Sequence, residues 1–252
     1  MLETRDLSVR FGGHLAVHAV NARFQPGTLT AIVGPNGAGK TTYFNLISGQ
    51  VAATQGQVWL DGQDLSNWSA SQRTRAGLGR AFQLTQLFPR LSVLENVRLA
   101  VQSTRGGPHW RGLNLFATSE DHPELRQRAG ELLEAVAMSH QAETSVASLS
   151  HGDQRKLEVA ILLALEPRVY LFDEPTAGMS QDEAPVVLDL IRQIKKDPKA
   201  IVLLVEHKMD VVRELADRII VLHNGQLVAD GLPSEVIASP VVQQAYLGKV
   251  LA

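Results

Sequence analysis

Residues 31–49 read AIVGPNGAGKTTYFNLISG. An apolar run ends in a glycine-rich turn, and the turn opens onto a helical pattern. Gly34, Gly39, Lys40 and Thr41 sit at the spacing G-x-x-x-x-G-K-[ST]. Glycines there let the backbone curl so that successive N–H groups point at phosphate oxygens. The helix N-terminus adds a partial positive charge. The expected cradle is Asn36, Gly37, Ala38, Gly39, Lys40, Thr41 and Thr42. Lys40 is expected to reach the β- and γ-phosphates, and the Thr41 hydroxyl to ligate Mg2+.

A matching pair of carboxylates ends the run RVYLFDEP at 168–175. Asp173 falls at the carboxyl end of a buried strand, where open α/β sheets bind ligands, and is expected in the Mg2+ shell. Glu174, next to it, can orient or deprotonate an attacking water.

The runs TLTAIVG (28–34), RVYLF (168–172) and AIVLLVE (200–206) lack alternation and read as strands buried on both faces of a parallel sheet. The first 25 residues and GQVWLDG (56–62) read as alternating, half-exposed strands. RIIVLHNGQLVADG (218–231) is a hairpin turning at Asn224-Gly225. From 84 to 165 the periodicity is helical, with a Gly-, Pro- and Trp-containing segment at 103–124. The expected fold is an α/β P-loop core with a mainly parallel sheet and an antiparallel β edge. It forms a single domain in which 1–83 and 166–252 make the core and 84–165 an inserted helical subdomain.

Composition bounds the function. The 252 residues are 44% hydrophobic, with a net charge of −2 and no cysteine. A large core is available, disulfides and thiolate metal sites are excluded, and no basic excess points to nucleic acid. The eight histidines show no metal-ligand spacing. No secretory pattern opens the chain, and no apolar run approaches the roughly 18–20 residues of a membrane span. A chain that is soluble by itself needs partners to work at a membrane.

A second anion-binding pattern stands at 149–160, LSHGDQRKLEVA. Ser150 is an N-cap type, and Gly152 permits close backbone approach. Leu157, Ala160, Ile161, Ala164 and Leu165 give the following helix one apolar face. One γ-phosphate is not easily gripped from two distant parts of one chain. Two chains arranged head to tail can each supply half.

The chain resembles an ABC-transporter nucleotide-binding subunit. The resemblance rests on GPNGAGKTT, on Gln83 in RAFQLTQLF, on LSHGDQ, on VYLFDEP and on His207 in LLVEHKMD, in that order. It implies that Ser150 and Gly152 close over ATP bound by a second, homologous or identical ATPase subunit. It implies that Phe11 stacks on adenine with Val17 nearby, and that His207 contacts the γ-phosphate. Gln83 would join the metal site to the helical subdomain and its membrane partner. Two departures stand out: His151 and Asp153 differ from the usual signature Leu-Ser-Gly-Gly-Gln, and TAGMS (176–180) lacks the usual Asp.

FGGHLAV, FQLTQLFPRLSVLENV, DEPTAGM, VEHKMDVV and the tail SPVVQQAYLG look most like ATPases of branched-chain amino acid importers. That branch implies two transmembrane permease subunits, indirectly a periplasmic or extracellular substrate-binding protein, and a peripheral place on the cytoplasmic face of the membrane. The alternatives are the lipopolysaccharide-export ATPase and importers of urea, short amides or aromatic acids.

Overall fold

The computed structural model describes residues 1–81, 87–105, 123–240 and 242. Gln83, the greater part of segment 103–124 and most of the tail from 239 lie outside the described residues. The chain divides into two compact units, one of 1–80, 168–174 and 192–252, the other of 81–167 and 175–191.

The first unit holds two sheets. Strands β1 (Leu2–Phe11), β2 (His14–Phe24), β4 (Gln55–Leu60) and β5 (Gln63–Asp64) form one, in the order β2-β1-β4-β5, all antiparallel. Alternation along β1 is broken: Leu2, Glu3 and Thr4 are buried in succession, as are Leu7, Ser8 and Val9. Register shifts on either side of Leu7 and a left-handed Asp6 (φ 45°) account for it.

The other sheet runs β10-β9-β3-β8-β7-β6, built from β3 (Thr28–Val33), β6 (Leu78–Ala81), β7 (Val169–Asp173), β8 (Ile201–Val205), β9 (Arg218–His223) and β10 (Gln226–Gly231). Strands β7, β8, β3 and β9 are parallel, and β10 returns antiparallel through Asn224 and Gly225, both at positive φ. Successive residues of β3 feed opposite faces, which is why its sequence does not alternate. Ile32 joins a core with Leu2, Leu7, Phe24, Leu203 and Val205. Ala31 and Val33 join another with Val212 of α7 (Met209–Leu215) and Val236 of α8 (Pro233–Ala238).

Helix α1 (Lys40–Ser48) buries Tyr43, Phe44 and Ile47 in the first core. Its C-terminal carbonyls are capped by Arg73 of α2 (Ala70–Arg75), whose Nη1 donates to Leu46 O and Ile47 O at 2.7 Å each. This satisfies acceptors that every helix end leaves open.

In the second unit α3 (Val93–Arg105), α4 (Pro123–Ala135) and α5 (His151–Ala164) pack on one another. Val93, Val97 and Val101 line one face of α3, and Leu125, Ala129, Leu132 and Leu133 one face of α4. Val159 and Leu162 of α5 are buried beside Leu157, Ala160, Ile161 and Ala164, a wider buried surface than the apolar spacing alone predicts. Residues 175–191, including the start of α6 (Ala184–Lys195), group with these helices rather than with the core. Local contacts explain the difference: a Cβ on Gly152 would meet the Glu183 carboxylate, and one on Gly178 would meet the His151 ring. Among the described residues no helix is long and apolar enough to cross a membrane.

Candidate functional site

Parallel pairing decides which residues meet. Val205 of β8 lies level with Ile32 of β3 on one side and with Asp173 of β7 on the other. The three strands therefore end together, and the residues just beyond them share one neighbourhood: the 34–39 loop, Glu174 and His207. A cavity of about 400 Å³ opens there, lined by Asn36–Thr42, Glu174 and His207, with Phe11, His14 and Ala16 from the antiparallel sheet. Phe11 is half exposed and lines the cavity. Val17 is fully buried and lies behind the loop, 3.5 Å from where a Gly39 Cβ would stand.

The loop's form is set by Gly39. It is the N-cap of α1 at φ 95°, and a Cβ there would lie 2.5 Å from Ala16 O. No side chain caps α1, and its first turn carries no acid. Its first N–H groups are thus not taken by the helix's own side chains, the condition for an anion site. Lys40 is buried, and its Nζ donates to Gly34 O (2.7 Å) and Pro35 O (3.0 Å). An ammonium has a third hydrogen for a phosphate oxygen. Burial lowers the Lys40 pKa, against the opposing pull of Glu174 and Asp173.

Glu174 adopts φ 52°, a left-handed conformation that costs a non-glycine residue on the order of 1 kcal/mol. Its N–H donates to Val205 O at 2.9 Å, and its Oε1 lies 2.7 Å from His207 Nε2. Glu206, buried between β8 and His207, accepts the His207 N–H at 2.8 Å and fixes that turn.

Asp173 is buried behind the cavity rather than lining it. Its Oδ2 is held by Arg80 Nη2 at 2.8 Å. Burial pushes the Asp173 carboxyl up and the Arg80 guanidinium down, and their contact opposes both. Among the described residues no group of three or more His, Cys, Asp or Glu could hold a metal by itself. Mg2+ suits such a place, because it takes one or two carboxylates, keeps waters and completes its shell with substrate phosphates. Thr41 lines the cavity and Asp173 ends the strand beside Glu174, so the donor types, a hydroxyl and a carboxylate, are ones that suit that ion.

Ser150 and Gly152 belong to the second unit and are not among the cavity's lining residues. Ser150 is the N-cap of α5: its Oγ accepts the Asp153 N–H at 3.1 Å and donates to Asp153 Oδ2 at 2.9 Å. Burial raises the Asp153 pKa, but hydrogen bonds from Lys156, Gln141 and Ser150 outweigh it and hold the carboxylate below its usual range. Lys156 Nζ bridges Asp153 Oδ1 (2.9 Å) and Glu183 Oε1 (3.5 Å).

Sequence reasoning missed His14, Ala16, Glu206 and Arg80. Arg80 lies on β6 (Leu78–Ala81), a strand not marked by any apolar run in the sequence.

The geometry has counterparts. Residues 17–177 match the family model described as ABC transporter. The chain is 35% identical over 250 residues to the high-affinity branched-chain amino acid transport ATP-binding protein BraF of Pseudomonas aeruginosa, covering 99% of this chain and 98% of that protein. It is similar to the solved ADP conformation of MJ1267, an ATP-binding cassette of an ABC transporter, with a TM-score of 0.81, 28% identity and 99% of each chain covered. It is also similar to the dimeric post-hydrolysis structure of the cassette MJ0796 bound to ADP and Pi, with a TM-score of 0.78, 26% identity, and 92% and 99% of the two chains covered. The match of the family model over well over half the sequence, together with these full-length likenesses, means that the chain belongs to the ABC transporter family.

Proposed function

We propose that the cavity binds ATP with Mg2+ and hydrolyses it, and that the energy drives import of branched-chain or related amino acids. The supporting observation is that one cavity gathers the 36–42 loop, Phe11, Glu174 and His207. Phe11 stacks on adenine. Loop N–H groups and Lys40 take the β- and γ-phosphates. Glu174 accepts a proton from water as the water oxygen bonds to the γ-phosphorus, and the bond from that phosphorus to the β–γ bridging oxygen breaks to release ADP. His207, within hydrogen-bond distance of Glu174, steadies that carboxylate and faces the γ-phosphate. Mg2+, when bound, neutralises charge on the phosphate oxygens, and Thr41 and Asp173 are the groups that would hold it.

The chain is an ATPase coupled to transport. Ser150 and Gly152 close over the ATP of a second ATPase subunit, and that subunit's own signature closes over the ATP held here. Two permease subunits at the cytoplasmic face of the membrane take up the motion, and a substrate-binding protein delivers the amino acid. The test is phosphate release and labelled-leucine uptake by the assembled complex in vesicles. Glu174→Gln is expected to retain ATP binding and lose turnover by roughly 10²–10⁴-fold, with uptake lost in parallel. Undiminished turnover in that variant would remove Glu174 from the reaction. Turnover without leucine uptake would remove the assigned cargo.

A further inference from the structure

We propose that Arg80 is the positioning residue for Asp173 and sets the affinity of the nucleotide site for its cation; the proposal rests on the assignment of Asp173 to Mg2+ above. The two side chains are 3% and 5% exposed, and their contact is Arg80 Nη2 to Asp173 Oδ2 at 2.8 Å. Arg80 Nη1 donates to Asn45 Oδ1 (2.6 Å), Gln50 Oε1 (3.0 Å) and Ser48 Oγ (3.1 Å), at the C-terminal end of α1. The guanidinium carbon lies 5.6 Å from the centre of the Phe44 ring, on the same helix.

Such a pair is weak evidence for stability, since burying two charges costs about as much as their attraction returns. Its geometry does something else. With Oδ2 held, the carboxylate cannot turn about its Cβ–Cγ bond, so the place of Oδ1 is fixed. The anchor is the helix whose first turn carries Lys40 and Thr41. One planar fork thereby holds the Asp173 carboxylate in a set relation to the Thr41 hydroxyl. Arg80 is not among the residues lining the cavity, so it acts through Asp173. Its charge alone would repel a dication, which makes the sign of its effect informative. If charge decides, removing Arg80 tightens Mg2+ binding; if positioning decides, removal weakens it.

The experiment is binding of a fluorescent ATP analogue to the full chain, titrated with Mg2+ and repeated in EDTA. The variants are Arg80→Met, Arg80→Lys, Asp173→Asn and the double variant Arg80→Met/Asp173→Asn, each with a thermal melt. In Arg80→Met the half-saturating Mg2+ concentration is expected to rise roughly tenfold or more, with affinity in EDTA within about twofold of the parent. The double variant should be no worse than Asp173→Asn, because the two changes remove one interaction. Arg80→Lys keeps the charge but cannot serve both partners, so a smaller rise is expected, and this variant decides the matter if the methionine protein does not fold. Mg2+ dependence that is unchanged or tighter in the folded Arg80 variants overturns the proposal, as does an effect additive with Asp173→Asn. If Asp173→Asn itself leaves Mg2+ dependence unaltered, the assignment of Asp173 falls, and the proposal with it.

Discussion

Two helix N-termini in this chain have the same dipole and opposite chemistry. Helix α1 begins on a left-handed glycine, has no side-chain cap and carries no acid in its first turn. Helix α5 begins on Ser150, whose hydroxyl caps the Asp153 N–H and donates to the Asp153 carboxylate. Lys156 neutralises that carboxylate and reaches Glu183 as well. Both ends attract anions by their backbone charge. The first is open to a ligand's phosphates, whereas the second already holds an anion of its own. A partner's γ-phosphate reaching Ser150 has to compete with Asp153 for the serine proton. The α1 end is left open by its own side chains, whereas at the α5 end a phosphate would bond to Ser150 only by displacing or sharing the internal carboxylate.

The contrast yields graded expectations. At α1, Lys40→Ala removes a charged donor from the cavity lining, and ATP affinity should fall by roughly 10- to 100-fold, read by equilibrium titration. Affinity unchanged within error would mean that the cradle does not use its lysine. At α5 the effects should be smaller and should appear without nucleotide. Ser150→Ala removes the cap and should lower unfolding stability by about 1 kcal/mol in urea. Asp153→Asn keeps an acceptor but loses the charge near the dipole, and should cost about 0.5 kcal/mol. If Asp153→Asn proves the more damaging of the two, the carboxylate rather than the serine organises that helix end.

The open cradle was readable in the sequence because its determinants are local: a buried strand, glycines at fixed offsets and a lysine, within the span of 31–49. The strand ends bearing Asp173, Glu174 and His207 were readable from apolar runs that fail to alternate. What escaped depends on residues far apart in the chain. Arg80 meets Asp173 across 93 positions, and Arg73 caps α1 from 26 to 27 positions away. The grouping of 175–191 with the helices turns on Glu183 meeting Gly152, a contact no local pattern encodes. The internal carboxylate at α5 was within reach of sequence reasoning. Ser150-x-x-Asp153 has the spacing of a capping box, and so does Ser180-x-x-Glu183, where each partner's backbone N–H is taken by the other's side chain. Asp153 stands out in the sequence as a departure from the usual signature, and the serine three residues before it is what makes it a capping partner.

The central claim is that two subunits share each nucleotide, one giving its lysine loop and the other its serine helix tip. The direct measurement is the structure of the Glu174→Gln chain with ATP and Mg2+ in complex with its partner ATPase, whether a second copy or another subunit. The account predicts Ser150 Oγ about 3 Å from an oxygen of the γ-phosphate gripped by the other subunit's loop, a normal hydrogen-bond distance. Ser150 still bonded only to Asp153, with no phosphate in reach while both cavities hold ATP, would contradict it.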